Sequence, residues 1–244
     1  MRLLVCIPVV VNGVVLAECL EQIIHKRHIH VLILDNGATE DVKEVLTKYK
    51  EYPQVEVWTQ EKNVFVNFAW NMFIQHFLVN DEKHDRLIIM NSDLTLNNDW
   101  WEVCKNTWEV RPSAVLTPNV IDDKTQMFSP IKNKVLEDLK YVHDGKGIPG
   151  VFITLSRKQA KLVFPLPANR IKIWFGDTII FETLAAAGYP IYVVKDLLAF
   201  HHTSTTVNEI SGIHEIIEQD KKEWEESVKL ELEEKIKKLK TCAS

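Results

Sequence analysis

Three apolar runs, each cut off by a cluster of Asn, Asp, Ser or Gly, constrain this chain more than any other feature. Leu3 to Val11 ends at Asn12-Gly13, Val31 to Leu34 at Asp35-Asn36-Gly37, and Leu87 to Met90 at Asn91-Ser92-Asp93. Runs with no polar alternation are the pattern of strands buried on both faces, as in parallel sheets covered by helices. The intervening segments have helical spacing. Val14 to His25 places Leu16, Leu20 and Ile23-Ile24 on one face, Thr39 or Glu40 opens a helix to about Lys50, and Asn67 to Val79 carries Phe68, Met72, Phe73 and Phe77. With Val55 to Thr59 as a further strand, strands and helices alternate through the first ninety residues. The pattern predicts an α/β fold with a mostly parallel sheet and helices on both faces, its ligands bound beyond the carboxyl ends of the strands.

Asn12, Asp35 and Asp93 fall at such strand ends. A carboxylate there suits two chemistries. Asp93 can join a hard divalent cation, Mg²⁺ or Mn²⁺, that takes its remaining ligands from a diphosphate and water, and Asp35 can accept from a base or ribose. The same residue types are also ordinary turn formers, and Asp35-Asn36-Gly37 reads equally as a tight turn with a glycine at φ > 0. No GxGxxG follows the first strand and the chain contains no GxxxxGK[ST], which disfavours the dinucleotide and P-loop versions of such a sheet.

At 244 residues and 46% hydrophobic content the chain is long enough for one large α/β domain or two small ones. A net charge of -5 gives no global attraction to nucleic acid or to anionic membrane. Cys6, Cys19, Cys104 and Cys242 are far apart with no CxxC pair, so neither a zinc knuckle nor a disulfide framework is expected. Pro8 and Asn12-Gly13 interrupt the apolar start before a signal sequence could form, and no stretch reaches the length of a membrane span. Free thiols and no membrane span make a cytoplasmic location the expectation.

The second half reads differently. Trp100 to Val110 is helical and Ser113 to Val120 an apolar strand, while Ile121 to Pro149 is polar, turn-rich and poorly periodic. Gly150 to Leu155 is a strand followed by Ser156-Arg157-Lys158 and a loop punctuated by Pro165 and Pro167. Ile171 to Phe175 and Gly176-Asp177 then lead into a helix from Thr178 to Ala187 ended by Gly188. Pro190 to Val194 is a strand, and Leu197 to Phe200 runs into His201-His202. Asp177, after Trp174-Phe175 and before a helix, reads as an N-cap. It also reads as a general base whose pKa is raised by the aromatic pair. Strand alternation turns one of His201 and His202 inward, and His202 is the choice for a neutral imidazole beside a metal-diphosphate site.

Taken together, Ile7-Pro8, the segment VLILDNG from Val31 to Gly37, Asn63 with Ala69 and Asn71, and Met90 to Asp93 form an ordered set. Gly150 with Arg157, Gly176-Asp177, Ala187-Gly188-Tyr189 and His202 complete it. The set resembles the GT-A glycosyltransferases of family 2, particularly their rhamnosyltransferase-like branch, over residues 1 to about 206. The resemblance implies a Rossmann-like GT-A domain over 1–206, with a nucleotide-sugar-binding half over 1–120 and an acceptor and catalytic half over 121–206. It implies a nucleotide-diphosphate sugar as donor, with Asp35 on the donor's base and Pro8, Asn12, Asn63 and Asn91 lining that pocket. Asp93 then stands at the metal-binding aspartate, Asp177 at the catalytic base and His202 at the late metal-binding histidine, with Mn²⁺ or Mg²⁺ as the ion. Four positions depart from the family: Asn91 for an acid, Gly176 for a common Glu, Ile179 for a second Asp, and Phe65 for a usual glycine. The implied reaction is inverting transfer to an acceptor hydroxyl, either of a glycan intermediate or of a hydroxymethylated base in phage DNA. A nucleotidyltransferase of similar fold and a non-catalytic nucleotide- or sugar-binding protein are the alternatives.

From Ser211 to Lys240, Ile213, Ile217, Asp220, Trp224, Val228, Leu232, Ile236 and Leu239 recur at steps of three or four. This predicts one long helix in a C-terminal extension, 207–244, with a stripe that packs on its own domain, forms a homodimer or docks an acceptor protein. Lys132, Lys134, Lys140 and Lys146 are the basic candidates for contact with a phosphate backbone, or else a solvated loop.

Overall fold

The computed structural model describes residues 1–121, 139–142, 145, 147–202 and 210–243, without the side chains of 139–141, 242 and 243. The first half is β1 (Leu3–Val9), α1 (Gly13–Glu21), β2 (Ile29–Asn36), α2 (Glu40–Tyr49), β3 (Val55–Gln60), α3 (Val66–Val79) and β4 (Arg86–Met90). Next come β5 (Leu94–Leu96), α4 (Trp100–Val110), β6 (Val115–Ile121), β7 (Leu139–Tyr141), β8 (Phe152–Ser156), α5 (Arg157–Val163), α6 (Gly176–Ala186) and β9 (Ile191–His201). A C-terminal segment follows as α7 (Ile213–Glu223), a π-helical turn at Trp224–Val228, and α8 (Lys229–Ala243).

The main sheet has the order β3-β2-β1-β4-β8, with β8 antiparallel to β4 and the other neighbours parallel. The chain moves outward from β1 to β2 and β3, then returns to the other side of β1 for β4. The gap beyond the ends of β1 and β4 is therefore a topological switch point, where open sheets of this kind hold ligands. A second sheet is built on β9, with β6 parallel along one edge and β5 and β7 antiparallel along the other. Thr154 Oγ1 of β8 accepts from the Leu116 amide of β6 at 2.8 Å and ties the two sheets together.

Successive strand residues face opposite layers, and both layers are apolar. Leu3, Val5, Ile7, Val31, Ile33 and Ile88 pack with α1, α2 and α4 through Leu16, Leu20, Val42, Leu46 and Trp100. Leu4, Cys6, Leu32, Leu34, Leu87 and Ile89 pack with α3, α5 and α6 through Phe73, Phe77, Val163 and Phe181. Cys6, Cys19 and Cys104 are buried free thiols, and burial pushes the Cys19 thiol up to about 12, so these cysteines act as small core residues.

The structure departs from the sequence expectation in several places. Helix α1 stops at Glu21 rather than His25, and β5 and α5 were not anticipated. The two strands expected over 190–200 are one, β9, because β6 pairs with it on both sides of Lys195-Asp196, with a register shift between Pro118 and Asn119. Lys132, Lys134 and Lys146 and the side chain of Lys140 lie outside the described residues. No helix among the described residues is long and apolar enough to cross a membrane.

The long C-terminal helix packs on its own domain. Trp224, Val228 and Leu232 join the layer formed by α3, α5 and α6, and Ile236 packs against it. Ile213, Ile217 and Asp220 on the same stripe are buried as well, so the face on which a helix-mediated homodimer would be built is already covered. Leu232, 5% exposed, reads out this docking directly. We expect Leu232→Ala to lower the unfolding free energy by about 2–3 kcal/mol in urea denaturation. A loss under about 0.5 kcal/mol would mean the helix is not anchored there.

Candidate active site

A cleft of about 480 Å³ opens at the switch point. It is lined by Pro8 and Val10 at the end of β1, by Asn91, Ser92 and Asp93 after β4, and by Trp174, Phe175 and Asp177 at the start of α6. Of the residues expected at the site, Pro8, Asn63, Asn91, Asp93 and Asp177 line this one cleft. Asn12, Asp35 and His202 are not among its lining residues.

Each absence has a local cause. Asn12 sits at φ 70 and caps α1, its Oδ1 accepting from the Val15 amide at 3.2 Å. Asp35 closes the turn after β2 by accepting from the Ala38 amide at 2.9 Å, with Gly37 at φ +70 completing it. Its neighbour Asn36 lies on the same face of β2 as Leu34 and reaches the cleft instead. Asn36 donates to Asn63 Oδ1 at 2.9 Å and accepts from the Val64 amide at 2.8 Å, fixing the loop that forms the donor-side wall. In the sequence, Asn36 is indistinguishable from an ordinary turn residue.

The two histidines divide by strand register. β5 pairs with the end of β9 so that Leu94 opposes His201, and the Asp93 carbonyl accepts from the His202 amide at 3.0 Å. His201 shares the face of Leu197 and Ala199, and its Nε2 lies 3.2 Å from Asp93 Oδ1 inside the cleft. His202 points the other way with Phe200, its Nε2 3.1 Å from Thr95 Oγ1 and 3.9 Å from Glu18. The inward choice of His202 is thus corrected by one residue.

Asp177 is held at the N-terminus of α6. Its Oδ1 accepts from the Thr178 amide at 2.8 Å and its Oδ2 from the Gly150 amide at 3.0 Å. A Cβ at Gly150 would come within 2.3 Å of the Asp177 Cβ, so this approach requires a glycine. Desolvation by burial raises the Asp177 pKa above the ordinary carboxylate value, against the opposing pull of the Thr178 and Gly150 amides. A carboxylate has about four lone-pair positions, so two backbone bonds leave room to accept a proton.

A metal-ligating pair also lines the cleft, the carboxylate of Asp93 and the imidazole of His201. Among the described residues no group of three or more His, Cys, Asp or Glu side chains forms a metal cage. Two such ligands fit a hard cation that draws its other positions from phosphate oxygens and water. No Lys or Arg occurs among the described residues that line the cleft.

Phe65, at the position of the missing glycine, has φ 64 and ψ 167, a region that only glycine occupies freely. Its ring lines the cleft, with Lys172 Nζ 5.4 Å from its centroid. Phe65→Gly and Phe65→Ala both lose the ring, but only glycine releases the backbone. We expect Phe65→Gly to be more stable than Phe65→Ala by about 1 kcal/mol in chemical denaturation. Equal stability would show that the backbone carries no strain.

Residues 4–158 match the family described as Glycosyl transferase family 2, as a whole rather than in any one branch. No curated protein sequence matches the chain. Among solved structures, the chain is similar to the mannosyltransferase PcManGT from Pyrobaculum calidifontis in complex with GDP-Man and Mn2+. The identity is 14% and the TM-score 0.57, over 84% of this chain and 57% of that one. It is also similar to S. aureus TarS, at 13% identity and TM-score 0.62 over 93% and 44% of the two chains. A third likeness is to GalNAc-T7 with UDP, GalNAc and Mn2+, at 13% identity and TM-score 0.62 over 82% and 43%. At these identities the likeness is one of fold. This chain spans between 43% and 57% of the length of those three.

Proposed function

Because the chain belongs to glycosyl transferase family 2 and carries the GT-A fold, we propose that it moves a sugar from a nucleotide-diphosphate donor to an acceptor hydroxyl with inversion. The observation that carries this reading is that Asp93 and the desolvated Asp177 line one cleft at the switch point. In it, Pro8, Asn36, Asn63 and Asn91 border the donor's nucleotide, and Asp35 acts through the turn that aims Asn36.

Asp93 and His201 would hold a divalent cation, Mn²⁺ or Mg²⁺. When bound, such an ion neutralises charge developing on the departing nucleoside diphosphate. The lining supports this need, because its described residues include two aspartates and no Lys or Arg to meet that charge. The complexes of PcManGT and GalNAc-T7 with Mn2+ are consistent with it.

Asp177 accepts the proton of the incoming hydroxyl as the new bond forms on the face of the sugar opposite the leaving group. A raised pKa favours this, since a base works best when its affinity for the proton approaches that of its surroundings. The wall beside it supports a neutral acceptor such as a sugar over a polyanion. It is apolar, without a described Lys or Arg, and Trp174 presents an indole that is 47% exposed at the rim. Residues 1–120 and 121–206 then serve as donor and acceptor halves of one domain.

We expect Asp177→Asn to keep the rise in melting temperature produced by a nucleotide sugar with Mn²⁺ and to lose transfer by about 10²–10⁴-fold. In the native enzyme, transfer should fall as pH drops through the raised Asp177 pKa, placing the acid limb above that of an ordinary aspartate. A fully active Asp177→Asn variant would remove the base assignment.

The histidines give a separate test. His201→Ala should raise the Mn²⁺ concentration needed for donor-induced stabilisation by about 10-fold or more, and His202→Ala should change it far less. The reverse order would return the metal role to His202.

A further inference from the structure

The long helix stripe contains one residue that does not belong to it by polarity. Asp220 is 1% exposed and lies between Ile217 and Trp224 on the buried face. Its Oδ1 accepts from the Lys172 amide at 2.8 Å, and its Oδ2 from the amides of Ile173 and Trp174 at 2.7 and 3.0 Å. These three residues have no regular secondary structure, and two of them, Ile173 and Trp174, line the cleft shortly before Asp177.

The opposite edge of this loop is held from α3. Asn67, fully buried, donates from Nδ2 to the carbonyls of Ile171 and Trp174 at 3.0 Å each, and its amide donates to the Lys172 carbonyl at 2.9 Å. Asp220 and Asn67 thus divide the backbone groups of the loop, donors to one and acceptors to the other. Buried backbone groups require such partners, and a loop supplies none of its own. A second anchor follows at once: Phe175 stacks on Trp224, one turn beyond Asp220, with centroids 4.5 Å apart and planes within 6°. Phe175 stands at φ 63, the left-handed turn from which α6 starts with Gly176-Asp177.

We propose that Asp220 is a positioning residue for the transfer site, clamping the loop Lys172–Trp174 and through it the Phe175 turn that sets the Asp177 carboxylate against Gly150. The C-terminal helix is then part of the catalytic unit, although it lies beyond the stretch 4–158 that carries the family match. Asp220 touches no reacting group; it acts through the backbone of the wall. Its functional consequence rests on the reading of Asp177 as base, while the clamp itself does not.

The test follows amide hydrogen exchange and the carboxyl ¹³C titration of Asp177 by NMR, in native protein, Asp220→Ala and Asp220→Asn. Asp177→Asn assigns the carboxyl signal. Asp220→Ala should speed exchange about tenfold or more at Lys172, Ile173 and Trp174, and also at Gly150 and Thr178, whose amides bond Asp177, with β1 and β4 unchanged. The Asp177 titration should move toward the ordinary aspartate range as water enters. Asp220→Asn keeps one acceptor oxygen and should give a smaller change of the same kind, and it carries the test if the alanine variant does not fold. Faster exchange at 172–174 with an unmoved Asp177 signal and unchanged Gly150 and Thr178 would overturn the positioning role. No change at 172–174 would overturn the clamp. Neither readout needs turnover, so an active Asp177→Asn enzyme would sink the base assignment without altering these results.

Discussion

Burial of β1, β2 and β4 on both faces is the constraint from which the site follows. Leu3, Val5, Ile7, Leu32, Ile33 and Ile88 are fully buried, each contributing about 1.5–3 kcal/mol of apolar transfer, and an unpaired charge among them would cost more than one such residue returns. Apart from His30 and Arg86 at the amino ends of β2 and β4, polar side chains are therefore absent from these strands until their carboxyl ends. Asn36, Asn91 and Asp93 gather at that edge because nowhere else in the sheet admits them. The return of the chain across β1 to form β4 then opens the gap in which they face one another.

The same two-sided burial explains what the sequence could reveal and where it fell one residue short. Apolar runs and their abrupt ends are easy to see, so the strand tips, the helices between them and the membership of Pro8, Asn63, Asn91, Asp93 and Asp177 in one region were legible. Which face a tip residue takes was not. A strand that is polar on one side announces its parity by alternation, and one buried on both sides does not. At two places the residue that lines the cleft is the neighbour of the one expected there, Asn36 beside Asp35 and His201 beside His202. For the histidines, parity comes from a pairing of β9 with β5, three residues too short to be recognised in advance.

Asp220 and Asn67 illustrate a different limit. A lone Asp in an apolar helical stripe signals a buried polar partner, but its partners are amides nearly fifty residues away in a loop with no periodicity. Asn67 looks like an ordinary first-turn residue of α3 until its side chain meets Ile171 and Trp174. Side chain to backbone bonds of this length leave no spacing to read. They arise only once helix α3, helix α7 and the loop are brought together by packing, which is also why the long helix covers its own domain.

Electrostatics orders the two carboxylates of the cleft. Asp177 is desolvated beside Gly150, and burial raises its proton affinity against the opposing pull of the Gly150 and Thr178 amides and the Thr178 hydroxyl; Asp93 lies against the His201 imidazole. Two carboxyl groups in differing surroundings can take differing tasks in one pocket. On the proposed reading a donor adds a diphosphate to a wall whose described residues hold no Lys or Arg. Two protein ligands are too few to hold a hard cation tightly alone, and the diphosphate meets too little positive charge to bind tightly alone. Cation and donor must then assemble together, each supplying what the other lacks. The chain's own part is to hold Asp93 and His201 3.2 Å apart at the meeting point.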